Sequence, residues 1–379
     1  MKKSLYSFIA LSALASVAHA QSSVTLYGII DASVMTQSKT GGTGAGGRVT
    51  SFVDAPILPS IYGFKGTEDL GGGLSAGFNL EGGFNAGNGT HNSPGVTQNN
   101  IFGREAKVTL SGADWGSVGA GLQVDPALIA SISTEPRGLT DSFSMLEYWI
   151  LATVFNGSGL NPAGATSLQG GIFDNNSLTY TYAKNGLYLG LEYGFGGVAG
   201  STSANSTESI GASYSKAGFI VSGSYAKNNN ANPAIGGSSS QIGVVGLGYD
   251  FGAFAVRGQY GAFRSSAGAL LGVANATSDV QSWGVGLDWK PSAANKINIS
   301  YYDAKDTGAS FGGKTSEIAL LDIYSLSKRT QIYGQLVDVK ADANAGVSAG
   351  IGGVYVPSGF FSSAGTSTLY FGVGVQHSF

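Results

Sequence analysis

The sequence predicts an all-β membrane protein, a transmembrane antiparallel barrel of about 16 strands. Apolar and polar residues alternate with a period of two, in segments of the roughly 9–11 residues that cross a bilayer at a tilt. Charged residues make up only 11% of the chain, yet no apolar run reaches the ~20 residues of a membrane helix. Short connections alternate with long polar ones, as in closed barrels with turns on one side and loops on the other.

The N-terminus has the features of an export signal. Two lysines precede a mostly apolar stretch at 5–17, and residues 18–20 form a small-x-small cleavage pattern. We therefore expect residues 1–20 to be a cleaved signal peptide and residues 21–379 to form a single barrel domain. Loss of the two lysines changes the formal net charge from −3 to −5.

Composition narrows the function classes. The chain has no cysteine, which excludes disulfides and thiolate metal sites. A mildly acidic chain with scattered basic residues is a poor candidate for nucleic-acid binding. No acid-rich spacing of the calcium-loop kind occurs in the sequence. We expect no cofactor and no metal.

The strands follow from the alternation. The stretch 187–195 reads LYLGLEYGF, with leucines and aromatics at odd positions. The final stretch, 369–379, alternates in the same way, and a helix would require period 3.6 instead. The predicted strands lie near 24–36, 58–66, 73–84, 101–110, 116–124, 176–184, 186–195, 207–215, 218–227, 241–250, 253–263, 279–290, 296–305, 314–324, 330–340 and 367–379.

The connections and prolines support this assignment. All 9 prolines fall in a connection or beside one, as expected because proline cannot donate to a strand ladder. Trp283 and Trp289 share one predicted outward face, about 20 Å apart, which favours aromatic girdles at the membrane boundaries; simple β-propensity is the alternative. The long connections are 37–57, 85–100, 125–175, 228–240, 264–278 and 341–366.

Several stretches resemble one protein family over essentially the whole mature length. The chain is similar to the Gram-negative trimeric porins of the neisserial and Burkholderia–Bordetella type. The stretches that carry the resemblance are SSVTLYGIIDASV (22–34), GFKGTEDLGGGLSAGFNLEGGF (63–84), FGRE (102–105), NNSLTYTY (175–182) and FGVGVQHSF (371–379).

The resemblance implies a sixteen-stranded outer-membrane barrel that assembles as a homotrimer and passes ions and small hydrophilic solutes by passive diffusion. It implies contact with outer-membrane lipid and lipopolysaccharide. The terminal Phe379 looks like the signal that the barrel-assembly machinery recognises. The third outer loop, here 125–175, is expected to fold inward and narrow the pore; an outer lid is the alternative.

Charged residues of that loop are candidates for the constriction, because side chains from the wall cannot fill a barrel of ~16 strands. The segment Met145–Phe155 is apolar and fits either a short helix packed on the wall or a path for amphipathic solutes. The candidate loop residues are Asp125, Glu135, Arg137, Asp141 and Glu147.

Facing the loop, we predict Lys65, Glu81 and Arg104 on the pore wall. If Arg104 points into the lumen, strand alternation would place Glu105 and Lys107 outward.

Arginines common in the family are replaced here. Ile61 follows Ser60, Leu122 precedes Gln123, and Ile172 and Phe173 precede the Asn-Ser segment. Because rings of fixed charge bias which ions pass, we expect weaker anion preference than in arginine-rich relatives, or slight cation preference.

An enzyme is disfavoured. Of 3 histidines, His19 lies in the signal, His91 in a connection and His377 on the lipid-facing side of the last strand, so no nucleophile–base constellation is visible. A substrate-selective channel and a structural or adhesive barrel remain the alternatives to a diffusion porin.

Overall fold

The computed structural model describes residues 23–40, 46–91, 100–138, 140, 142–144, 171–229, 239–265, 278–308, 313–342 and 365–379. The expected signal peptide (residues 1–20), Asp141, Glu147 and the segment Met145–Phe155 lie outside these residues. No helix in the described part is long and apolar enough to cross a membrane.

The described residues form one helix and a continuous antiparallel sheet. The helix is α1 (Pro126–Ile132). The strands are β1 (Ser23–Gln37), β2 (Val49–Asp54), β3 (Ile61–Gly71), β4 (Leu74–Gly83), β5 (Glu105–Gly112), β6 (Gly116–Val124), β7 (Phe173–Lys184), β8 (Leu187–Gly194), β9 (Thr207–Lys216), β10 (Phe219–Asn229), β11 (Ser239–Asp250), β12 (Phe254–Ser265), β13 (Ser278–Ser292), β14 (Asn295–Asp306), β15 (Gly313–Ser325), β16 (Thr330–Ala341) and β17 (Thr366–Ser378).

The sheet closes on itself. From β3 to β17 each strand pairs with the next, and β17 pairs with β1. At the seam the backbone groups of Gly28 and Phe379 exchange hydrogen bonds of 3.0 and 3.2 Å. Strands β2 and β3 pair with successive halves of β1 and so occupy one place in the wall. The barrel therefore has 16 positions, which confirms the predicted fold class.

The two faces of the wall differ as the alternation predicts. Apolar side chains of one parity are exposed, for example Leu247, 59%, and Phe371, 53%. Side chains of the other parity are buried and often polar, for example Gln259, 5%. Trp283 and Trp289 lie on the exposed face, 45% and 44% exposed. A closed wall leaves no unpaired strand edge in lipid, so the backbone of the membrane-spanning strands is satisfied internally.

Tight turns set the strand register. Strands β7 and β8 are joined by Asn185 and Gly186, both with positive φ (55° and 85°). This backbone is the two-residue turn whose twist matches the strands, and asparagine and glycine tolerate it best.

The strand prediction was wrong at two places. Residues Val49–Asp54 form β2 inside the predicted connection 37–57. This strand is short and is cut off by Pro56 and Pro59, so its alternation is weak in the sequence. The structure also places Pro291 within β13, where the register shifts between Trp289 and Ser292; a bulge of this kind leaves no ladder bond for proline to break.

The break between β2 and β3 is held by a buried carboxylate. Both Asp31 oxygens accept hydrogen bonds: Oδ2 from the backbone N–H groups of Ile57 and Leu58 at 2.9 Å, and Oδ1 from the Tyr333 hydroxyl at 2.6 Å. Asp31 is 0% exposed. These bonds compensate the cost of burying the charge and tie the start of the chain to β16.

Candidate channel constriction

Residues 125–138, 140 and 142–144, the inner segment below, follow β6 and lie against the inward face of the wall. The segment begins at β6, packs first on β8 to β10, then contacts β13 and β14, and ends beside β17. The described part of the third outer loop is therefore folded into the barrel, as predicted.

The segment opens with α1. Asp125 caps this helix, because its Oδ1 accepts a hydrogen bond from the Ala127 N–H at 2.7 Å, and Pro126 is a favoured residue in the first turn. A glycine on the wall makes the close approach possible: a Cβ on Gly211 would overlap Ala127 and the Pro126 carbonyl oxygen. The absence of a side chain at Gly211 thus allows the helix to pack closely against the wall.

The middle of the segment is hydrogen-bonded to the wall. The Asn298 side-chain amide donates to the Pro136 carbonyl at 2.9 Å, and the Thr134 and Ser222 hydroxyls lie 2.6 Å apart. A Cβ on Gly286 would overlap the Pro136 carbonyl oxygen. Glycine is required there because the backbone of the segment touches the strand.

A charged network anchors the segment next. The Tyr302 hydroxyl donates to Glu135 Oε1 at 2.6 Å. The Arg137 guanidinium donates to Gln335 Oε1 at 3.2 Å and to the Phe143 carbonyl at 3.1 Å, and it lies 3.9 Å from Glu317 Oε1. This network joins the segment to three successive strands, β14, β15 and β16.

The described end of the segment is apolar. Phe143 is 0% exposed and packs in a cluster with Met35, Val337 and Tyr370. Its ring centre lies 5.1 Å from that of Tyr370. Phe143 thus anchors the segment to the wall on both sides of the seam between β1 and β17.

The three described loop candidates contact protein rather than open water. Asp125, Glu135 and Arg137 are 0%, 1% and 1% exposed. The prediction that they present charge to permeating ions does not match this burial, because each is hydrogen-bonded to the wall behind the segment or to the segment itself. These contacts hold the described part of the loop against the wall.

The pore-wall candidates form a ladder on the inward face of β1 and β3 to β5. Arg104 Nε lies 2.7 Å from Glu81 Oε1, and its guanidinium stacks 4.7 Å from the Phe173 ring centre. The Tyr27 hydroxyl donates to Glu81 Oε2 at 2.9 Å. Lys65 Nζ lies 5.2 Å from the Tyr27 ring centre. The structure thus brings Lys65, Glu81 and Arg104 together.

The expectation that Glu105 and Lys107 face outward was wrong. Glu105 is paired with Glu81 in the ladder, and Lys107 Nζ lies 2.6 Å from Glu105 Oε1. The side chains of the opposite parity in β5 face outward, for example Val108, which is 58% exposed. Arg104 precedes the first residue of β5, so strand alternation does not apply to it, and it reaches the same cluster as the strand residues.

Two further inward cations are paired with acids. Arg257 lies 2.5 Å from Asp288, and Lys290 lies 3.4 Å from Asp250. Ile61, one of the residues that replace arginine, is on the inward face and 7% exposed. Four cations of the inward face, Arg104, Lys107, Arg257 and Lys290, are therefore paired with acids.

Sequence reasoning did not single out Asp174 and Glu192, which meet Asp125 at the root of the segment. The pKa of Asp125 is raised well above its usual range, mainly by burial and next by the negative charge of Asp174. The sequence does contain a sign of this cluster, because Glu192 is a charged residue on the face of LYLGLEYGF that points away from lipid.

Comparison with known proteins gives consistent matches. A sequence profile described as Gram-negative porin matches residues 7–344. The outer membrane porin protein 32 of Delftia acidovorans is 29% identical over 397 residues, across 100% of both chains. An outer membrane porin protein of Bordetella pertussis is 28% identical over 429 residues, also across 100% of both. The solved structure of an anion-selective porin from Comamonas acidovorans is similar with a TM-score of 0.73 at 25% identity, covering 95% of this chain and 100% of that one.

Proposed function

We propose how this chain, which belongs to the Gram-negative porin family, controls its pore. The chain forms an outer-membrane channel for passive diffusion of ions and small hydrophilic solutes. The inner segment follows the wall instead of crossing the lumen, and its charged residues are used to hold it there. Constriction by a wall-bound loop is the feature that the geometry supports best. The observation that carries it is the burial of Glu135 and Arg137 against β14, β15 and β16.

We further propose that the pore prefers anions less than the Comamonas relative named for that property, or slightly prefers cations. Glu81, Glu105 and Asp288 each lie within 2.7 Å of a wall cation. Paired acids cancel the positive field that would attract anions. All lysines and arginines after the first 22 residues lie in the described part of the chain, so the undescribed residues beyond that point add none.

The test is the reversal potential across a planar bilayer in a KCl gradient. The double variant Glu81→Gln/Glu105→Gln removes two unit charges and should raise the chloride-to-potassium permeability ratio by about fivefold to thirtyfold. One unit charge about 4–8 Å from an ion in water changes the ion's energy by about 0.5–1 kcal/mol. The matched control is Asp303→Asn, whose partner Lys314 is 52% exposed on the outward side; it should leave the ratio unchanged. Strong chloride selectivity of the unaltered protein would overturn the proposal.

We also propose the assembly features that the family resemblance implies: a cleaved signal at residues 1–20, a single barrel domain at 21–379, a homotrimer and contact with lipopolysaccharide. Deletion of Phe379 should reduce insertion by the barrel-assembly machinery. Its backbone also closes the seam with Gly28, so a Phe379→Ala variant, which keeps those bonds, separates recognition from closure. Cross-linking of the purified protein measures the trimer, and mass spectrometry of the mature N-terminus measures cleavage.

The chain is a channel protein by family, and we propose that it has no catalytic activity of its own. The two histidines in the described residues, His91 and His377, belong to a connection and to the outward face of β17. Hydrolase turnover that survives purification and follows the protein through gel filtration would contradict this.

A further inference from the structure

Three carboxyl groups meet where the inner segment leaves the wall. Asp125 precedes α1, Asp174 is on β7 and Glu192 is on β8. One oxygen of each lies within 4.8 Å of one oxygen of the others. Their exposed fractions are 0%, 0% and 7%. Three acids converge here in a buried place between the loop and the wall.

The cluster contains carboxylate oxygens that the protein does not satisfy. Both oxygens of Glu192, and Oδ2 of Asp125, accept no hydrogen bond from the described residues. Glu192 is thus a side chain more than nine-tenths buried, and its carboxylate points into the cluster with no hydrogen-bond donor of the described residues in bonding geometry. A buried unpaired carboxylate costs several kcal/mol, so another species must compensate it.

Within the described part of the chain, no cationic side chain is paired with Asp125 or Glu192. Among the described residues, no ion pair within 4.0 Å involves Asp125 or Glu192. The loop residues 145–170 contain no lysine, arginine or histidine, so the undescribed part of the loop contributes no positive charge either. The compensating charge therefore comes from solution.

The donor atoms determine which ion fits. Carboxylate and hydroxyl oxygens surround the cluster: the Ser209 hydroxyl donates to Asp125 Oδ1 at 2.7 Å, and the Thr207 hydroxyl donates to Asp174 Oδ1 at 3.2 Å. An all-oxygen set without histidine or cysteine selects hard cations. Calcium accepts irregular oxygen geometry, whereas magnesium requires a near-ideal octahedron and keeps its waters.

We propose that Asp125, Asp174 and Glu192 bind one hard divalent cation, with Ca²⁺ preferred. The ion would join a loop residue to two wall strands. Since Asp125 also caps α1, a bound ion would hold the first turn of the inner segment to β7 and β8. This inference does not depend on the proposed ion selectivity.

The experiment is calorimetric titration of the full-length protein in detergent, stripped with EDTA and then titrated at neutral pH with CaCl₂ or MgCl₂. The expected result is one Ca²⁺ per chain, bound at least about tenfold more tightly than Mg²⁺. Glu192→Gln should weaken Ca²⁺ binding at least about tenfold, because it removes one of three charged ligands. Glu208→Gln is the matched control, because Glu208 is an exposed acid on the neighbouring strand β9, and it should bind Ca²⁺ as the unaltered protein does.

A second variant and a second readout keep the proposal testable if Glu192→Gln folds poorly. Asp125→Asn alters the cluster from the loop side and leaves the wall strands intact. In the unaltered protein, Ca²⁺ should raise the thermal unfolding midpoint, and this rise should be absent in either variant. Equal Ca²⁺ affinity in the unaltered protein and the variants, or no binding at all, would overturn the proposal and show that protons alone neutralise the cluster.

Discussion

Arg137 is expected to be the main electrostatic anchor of the inner segment. Its guanidinium is fully buried, bonded to Gln335 and the Phe143 carbonyl and 3.9 Å from Glu317. The variant Arg137→Met keeps most of the volume but leaves Glu317 buried without its cation. Breaking a buried pair in this way costs about 3–5 kcal/mol. That is about two to four powers of ten in the unfolding equilibrium.

The assay is urea unfolding of the barrel in lipid vesicles, followed by tryptophan fluorescence, together with single-channel recording. We expect a lower unfolding midpoint and noisier current for Arg137→Met. The double variant Arg137→Met/Glu317→Gln should recover much of the loss, because it removes the charge left alone. Lys184→Met, which breaks an exposed pair with Asp114, should cost at most about 1 kcal/mol. Equal losses in the single and double variants would refute the pairing argument.

Three further changes test other parts of the account. Gly286→Ala should displace the segment at Pro136 and destabilise the protein by about 1–3 kcal/mol through overpacking. The control is Gly334→Ala, where a Cβ meets no atom within 4 Å, and it should be neutral. Equal effects of the two variants would contradict the close contact. Asp31→Ala removes three charged hydrogen bonds and should cost about 3–5 kcal/mol by urea unfolding, whereas Asp114→Ala, 94% exposed at its side chain, should cost little. In EDTA, the raised pKa of Asp125 makes stability depend on pH: its contribution is complete below its ordinary pKa of 3.8 and is lost as pH rises through the folded-state pKa. The variant Asp125→Asn should therefore show a flatter profile of stability against pH. An unchanged profile would contradict this reasoning.

The strands were predictable because lipid on one side and polar interior on the other force alternation along every membrane strand. That constraint is local, so LYLGLEYGF predicts β8 (Leu187–Gly194) from its own letters. It weakens where strands are short or irregular. β2 was missed for this reason, and the bulge at Pro291 lies among the last residues of β13.

The site was only partly predictable, because burial of a loop side chain depends on what faces it across the barrel. Nothing near Arg137 in sequence indicates Gln335 or Glu317, which lie on β16 and β15. The sequence indicates charge in the loop but not whether that charge meets water or the wall. For Arg104, alternation was applied one residue before the strand begins, and this reversed the predicted orientation of Glu105 and Lys107.

Single-channel conductance of the purified protein in a planar bilayer, measured over a wide range of KCl concentration, tests the central claim most directly. A water-filled barrel lined by a wall-bound loop predicts discrete conductance steps that rise in proportion to salt. Conductance that saturates and is blocked by one solute would indicate a substrate-selective channel, and the absence of steps would indicate a closed structural barrel; either result would contradict the account.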